Sequence, residues 1–163
     1  MDKTYLTDIL SYNPDDGIFR WKKSRQKIKV GDVAGNSHKN KKYVYIQIDG
    51  KSYSAHRLAW IYMTGLNSKN QIDHINGNKK DNRFCNLREA THGQNRANSK
   101  TTNKFGLKGV RKLKWVKDGK KCWIAQITFE KKTKYLGSYF TIEEAHQAYC
   151  DAAKIFHGKF AKI

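Results

Sequence analysis

The sequence predicts an α+β chain: a small strand-and-helix region with accessory N-terminal strands, followed by a three-stranded antiparallel sheet packed on one helix. Three observations predict it. The chain has 163 residues, enough for one ordinary domain or two small ones. Short β-prone segments alternate with turns rich in Gly and Asn, and two Thr-x-x-Gln/Glu capping boxes announce helices. Aromatic residues reach 12%, so compact cores are within reach although hydrophobic residues make up only 38%.

A short helix is expected over Thr4 to Ser11, closed by the turn Asn13-Pro14-Asp15-Asp16-Gly17. Strand-like pieces follow at Ile18-Phe19-Arg20-Trp21 and from Tyr43 to Ile48. The second runs through Asp49-Gly50, a hairpin dipeptide, into residues 51–55. Arg57 to Met63 has the apolar density of a buried helix and stops at Gly65. Ile72-Asp73-His74 closes an apolar strand, an Asn- and Gly-rich loop follows, and Leu87-Arg88-Glu89-Ala90 reads as its partner strand. Thr91 with Gln94 then caps a helix carrying Asn95.

The polar run Asn98 to Asn103 marks a boundary, dividing the chain into 1–98, a linker at 99–104, and 105–163. Beyond it, strands are expected at 109–113, 122–129 and 132–139, with turns at Lys117-Asp118-Gly119-Lys120 and Glu130-Lys131. Thr141 and Glu144 form the second capping box. It opens a helix with Ile142, Ala145, Ala148, Tyr149, Ala152 and Phe156 at helical spacing.

The 33 Lys and Arg against 14 Asp and Glu give a net charge of +19. The excess is spread, +10 over residues 1–100 and +9 over 101–163. Two basic regions suit an extended polyanion, because each neutralised phosphate releases counterions. No apolar run approaches a membrane span, and the Met1-to-Tyr5 start lacks the order of a secretory signal. The expectation is a cytoplasmic protein with no membrane and no protein partner, a monomer or homodimer. Cys85, Cys122 and Cys150 are odd in number and widely spaced, so they read as packing residues.

Chemistry concentrates between residues 72 and 96. Asp and Asn offer oxygen ligands for a hard cation, and His74 can take a proton from water near neutral pH. Adjacent strand residues point to opposite faces, so the backbone must turn at Asp73-His74 if both are to serve one site. His38, His92, His146 and His157 lack such partners and read as surface or packing histidines.

With His56-Arg57-Leu58 upstream, then Asp73-His74, Asn86-Leu87-Arg88 and Asn95, residues 55–97 resemble the HNH endonucleases of the phage and intron-encoded homing type. The resemblance implies a ββα-metal fold holding one Mg²⁺ or Mn²⁺ per active site, with double-stranded DNA as substrate in a bacterial or phage-infected cell. It assigns His74 as general base, Asp73 and Asn95 as metal ligands, and Asn86 as the residue ordering the loop. His56 and Arg57 would stand near the substrate phosphates, with Arg88 and Arg96 also on DNA.

Lys108-Gly109-Val110-Arg111, Trp123 to Ile127, Tyr135 to Tyr139 and Glu143 to Ala153 resemble the Apetala-two/ethylene-response-factor DNA-binding domain. That resemblance implies a sheet lying in the major groove. Lys108, Arg111, Trp115, Trp123, Gln126, Thr128 and Tyr135 would face DNA, with Lys132 and Lys134 on phosphates. The expected function is metal-dependent hydrolysis of DNA to 5′-phosphate and 3′-hydroxyl ends. The alternative is a non-catalytic DNA-binding regulator that uses the HNH unit as a scaffold.

Overall fold

The computed structural model describes residues 1–25, 27–36, 42–114 and 120–163. His38, Trp115 and most of the expected 117–120 turn lie outside the described residues. The chain divides into two compact units, Met1–Ala90 and Thr91–Ile163, and both mix helix and strand.

The first unit opens with α1 (Lys3–Ile9), capped by the Asp2 carboxylate, which accepts from the Tyr5 amide. The helix ends earlier than its sequence pattern suggests. Leu10 to Asn13 form β1, which pairs antiparallel with β2 (Ile18–Trp21), and β3 (Val33–Ala34) adds to the far edge. Leu10 and Tyr12 are buried while Ser11 and Asn13 are exposed, the period-two pattern of a half-buried strand.

β4 (Tyr45–Ile48) and β5 (Lys51–Ser54) form the expected hairpin, with Asp49 and Gly50 both at positive φ as a two-residue turn of this hand requires. Helix α2 (Ala55–Thr64) buries Leu58, Ala59 and Ile61 against Leu6, Phe19, Ile46 and Ile48. β6 (Gln71–His74) and β7 (Leu87–Ala90) are a separate antiparallel ribbon, joined by a polar loop and a 3-10 turn at Phe84–Asn86. Ile72 and Leu87 join the same core, so the face they share with His74 is turned inward.

The turn between β1 and β2 lies against that loop. The Phe84 amide donates to the Pro14 carbonyl at 3.0 Å. Gly17 has φ +74°, and a Cβ there would stand 2.4 Å from the Arg83 nitrogen and 2.5 Å from the Asn82 carbonyl carbon. Only glycine fits.

The second unit begins with α3 (His92–Asn98), closed at its start by the Thr91/Gln94 capping box. β8 (Val110–Lys112), β9 (Trp123–Phe129) and β10 (Lys132–Tyr139) form a sheet in the order β10-β9-β8, and α4 (Ile142–His157) packs on one face. Ala125 and Ala145 are fully buried where helix meets sheet. No helix among the described residues is long and apolar enough to cross a membrane. Of the cysteines, Cys150 is buried and Cys122 partly so. Cys85 is exposed and is not a packing residue.

Gly17 and Gly50 separate conformational strain from close approach, since both have positive φ but Gly50 has open space around its Cβ position. Gly50→Ala is expected to cost about 1 kcal/mol in denaturant unfolding, and Gly17→Ala about 2 kcal/mol more, because backbone must shift. Equal losses would show that the turn does not press on the loop.

Candidate active site

The ribbon sorts its residues by face. Asp73 pairs with Arg88 across the strands and His74 with Leu87, so strand pairing continues through His74 and the backbone turns only afterwards, where the Gly77 amide donates to the His74 carbonyl at 2.8 Å. The expected turn at Asp73-His74 is therefore displaced by one residue, and the two side chains leave opposite faces.

On the inner face His74 is 3% exposed. The Asn82 amide nitrogen donates to the Lys80 carbonyl at 3.3 Å, which turns its oxygen toward the imidazole. His74 Nε2–H therefore donates to Asn82 Oδ1 at 3.2 Å, and the proton-accepting lone pair of the neutral ring belongs to Nδ1. Burial lowers the His74 pKa below the ordinary imidazole value, opposed by the bond to Asn82 and the charges of Asp73 and Asp81.

His56, on the first turn of α2, sits beside it with ring centroids 5.1 Å apart, and the Tyr43 ring lies tilted against His56 at 5.2 Å. The His56 Nδ1 is buried without a hydrogen-bond partner. Burial, then the neighbouring His74, Arg57 and Lys79, pushes the His56 pKa down to about 4. Arg57 itself is exposed and donates to the Asn70 carbonyl at 3.2 Å.

The loop from Ile75 to Asn86 is tied together by its own polar groups. Asn86 donates to Asn76 Oδ1 at 3.1 Å and to the Asp81 carbonyl at 2.8 Å, and accepts from the Asn76 amide at 3.0 Å. The Arg83 guanidinium grips the Asp81 carboxylate at 2.7 and 2.8 Å and holds its pKa down to about 2.

On the other face Asp73 is 5% exposed and bound by Arg88, whose Nε and a terminal nitrogen both donate to Oδ2 at 3.0 and 2.9 Å. Arg88 was expected on DNA. Its side chain is only 13% exposed and bonds to Asp73, so it stands in the ribbon as a partly buried partner of that carboxylate. Among the described residues, no three His, Cys, Asp or Glu side chains gather as a metal site. The candidate ligands are one carboxylate and one amide, hard oxygen donors that fit Mg²⁺ or Mn²⁺ completed by water and phosphate, and that do not fit zinc. Asn95, half-buried, lies on α3 in the second unit, as does the exposed Arg96.

In the second unit, register puts Arg111, Gln126, Thr128 and Tyr135 on the face of the sheet away from α4, where Arg111 is paired with Ile124 and Tyr135 with Gln126. Tyr135 is 64% exposed. Four expected DNA contacts stand elsewhere. Trp123 is on the helix side, edge-on to Phe105 at 4.9 Å. Lys132 and Lys134 pair with Phe129 and Ile127 and so share the helix side, with Lys134 Nζ 4.5 Å above the Phe156 ring. Lys108 is half-buried and donates to the Ala97 carbonyl in the last turn of α3, and burial lowers its pKa to about 8. His146 also packs inward, its Nδ1 3.0 Å from the Lys108 carbonyl.

Sequence reasoning missed Asn82, Tyr43 and Asp81. Asn and Asp in a loop ordinarily signal a turn, and nothing in their spacing marks which one is buried. The order Asp81-Asn82-Arg83 directly before Phe84 was the available signal, since a polar run rarely ends on a half-buried aromatic without one member turning inward.

The His56 shift predicts a pH-dependent stability. The unfolded imidazole takes a proton near pH 6.5 and the folded one only near pH 4, so between those values the unfolded state binds more protons. Stability is expected to be fully present above pH 6.5 and to fall by about 3 kcal/mol as the pH drops to 4. His74, shifted the same way, adds to it. Chemical denaturation at pH 7.5, 5.5 and 4.5 checks this, and His56→Gln should flatten the slope.

No curated protein and no solved structure matches the chain. The ribbon, its loop, α2 and the start of α3 nonetheless fall within one recognised stretch: residues 53–97 match the family model of the HNH endonuclease, a match that points to a nuclease.

Proposed function

We propose that this protein is a divalent-metal-dependent DNA endonuclease of the homing type. Its nuclease region spans residues 1–98, and 99–104 join it to a DNA-holding module of the Apetala-two/ethylene-response-factor kind at 105–163. One observation carries the reading: a buried imidazole with one ring nitrogen held by Asn82, an arrangement that suits a general base for water. His74 accepts a proton at Nδ1 from a water that attacks the phosphodiester in line. The phosphorus–3′-oxygen bond breaks, giving a 5′-phosphate and a 3′-hydroxyl. Asp73 and Asn95 would hold Mg²⁺ or Mn²⁺, which when bound supplies charge stabilisation to the phosphate and the departing oxygen. Asn86 keeps the loop in register, and His56 with Arg57 lines the approach for the phosphate. The exposed sheet face of Arg111, Gln126, Thr128 and Tyr135 lies in the major groove of double-stranded DNA.

The second reading, a non-catalytic DNA-binding regulator, is favoured by one contact. Arg88 already supplies positive charge to the carboxylate on which a metal would sit.

Incubation of supercoiled plasmid with the protein and Mg²⁺ separates the two. Nicked or linear DNA is expected, abolished by chelator and slowed at least about 100-fold by His74→Ala. Full activity in His74→Ala would remove the imidazole from the mechanism, and no cleavage by the parent would leave the regulator.

The sheet face generates its own expectation. Arg111→Ala should weaken specific DNA binding by about 1–3 kcal/mol and relax sequence preference, whereas Lys134→Ala, on the helix side, should have little effect on preference. Binding measured on specific and scrambled duplexes at two salt concentrations checks this. Equal effects of the two changes would remove the groove assignment.

A further inference from the structure

The loop that faces His74 is gripped by a segment that lies outside the residues matched to the nuclease family. Two hydrogen bonds and one close approach run from the β1–β2 hairpin to residues 82–84. The Tyr12 hydroxyl donates to the Asn82 carbonyl at 2.6 Å, the Phe84 amide donates to the Pro14 carbonyl at 3.0 Å, and Gly17 lies against the Asn82–Arg83 peptide. The hairpin is itself rigidly founded. Tyr12 is 7% exposed, with its ring 4.6 Å from Phe19 and 5.6 Å from Tyr62. Asn82, at 3% exposure, thus has its main chain fixed by the hairpin and its side chain directed at the His74 ring.

We propose that Asn82 is a positioning residue that fixes the tautomer and ring plane of His74, and that the N-terminal hairpin is the clamp holding Asn82 in place. The proposal rests on the nuclease reading for its consequence and on the geometry alone for its substance. A neutral imidazole has two tautomers, and only the one with its proton on Nε2 can donate to Asn82 Oδ1. The Asn82 amide can select it because the bond to the Lys80 carbonyl prevents the amide from presenting its nitrogen instead. A loop asparagine without main-chain anchors would spread over several rotamers, and the ring would follow.

The test compares the full-length parent with Asn82→Ala, Asn82→Asp and Tyr12→Phe. It measures single-turnover cleavage of plasmid with Mg²⁺, DNA affinity, and the ¹⁵N chemical shifts of the His74 ring at neutral pH. Asn82→Ala is expected to slow cleavage about 100-fold with DNA affinity within about twofold, and to turn a single Nε2–H form into a mixture of tautomers. Asn82→Asp keeps an acceptor and should restore the single tautomer. Tyr12→Phe removes one oxygen while keeping the ring packing, and should slow cleavage about fivefold.

A single unchanged tautomer in Asn82→Ala overturns the proposal whether or not the protein cuts DNA. An unaltered cleavage rate in an active parent's Asn82→Ala variant does the same. If the parent cuts no DNA the nuclease reading falls, while the ring nitrogens still decide what Asn82 does. If Asn82→Ala does not fold, Tyr12→Phe carries the test, and unchanged ring shifts with an unchanged rate overturn the clamp.

Discussion

A hydrogen bond between the His74 ring and the Asn82 side chain ties the buried end of β6 to the polar loop, and neighbouring parts of the first unit hold that loop in place. A neutral histidine costs little to bury provided one ring nitrogen finds a partner. The difficulty lies in the partner, which stands in a loop with no ladder of backbone bonds to hold it. The loop solves this with side chains. Asn76, Asp81, Arg83 and Asn86 bond to one another and to the main chain, and the β1–β2 turn presses from outside. Side-chain networks of this kind stiffen a segment only when their members are satisfied. Asn86, with both amide nitrogen and oxygen engaged, meets that condition.

The second unit uses its sheet differently. α4 covers one face with alanines and a tyrosine, which lets helix and strands approach closely. Gly109 is where this is tightest, since a Cβ there would fall 2.0 Å from the Tyr149 ring. The opposite face is left to Arg111, Gln126, Thr128 and Tyr135. Charge alone does not mark that face as a binding surface, because lysines also stand on the helix side. What sets that face apart is a mixture of hydrogen-bond donors and acceptors, whereas the spread of positive charge favours any polyanion.

Much of this was legible in the sequence where the signal is local. Both capping boxes, the Asp49-Gly50 turn and strands β6, β7, β9 and β10 follow from spacing and caps, and the structure has them. Strand β1 was not legible. Leu6, Ile9 and Leu10 continue a helical rhythm, and only pairing with β2 makes Leu10 to Asn13 extended. At the site, His74 and Asn86 stood out through their order in the motif. The bond between Arg88 and Asp73 did not, because it depends on register. Trp123 is instructive for the opposite reason. It has odd parity with Gln126 and Thr128 along β9, so strand alternation by itself places it on the other face.

The opposed faces of β6 constrain how hydrolysis could proceed here. Asp73 bonds to Arg88 and His74 to Asn82, two polar pairs on opposite faces of the strand. A phosphodiester cannot reach both through the sheet. It can reach both only past the strand's end, where pairing stops at His74 and the chain turns through Ile75 to Gly77. The hydrolytic reading therefore sets the scissile phosphate beyond that end. There a cation on the carboxylate side has to share Asp73 with the Arg88 guanidinium, which donates to Oδ2. Sharing is chemically reasonable, since a carboxylate offers two oxygens and about four lone-pair sites. It also makes Arg88 more than a neutral neighbour: its guanidinium sets a fixed positive charge against the same carboxylate that a metal would use.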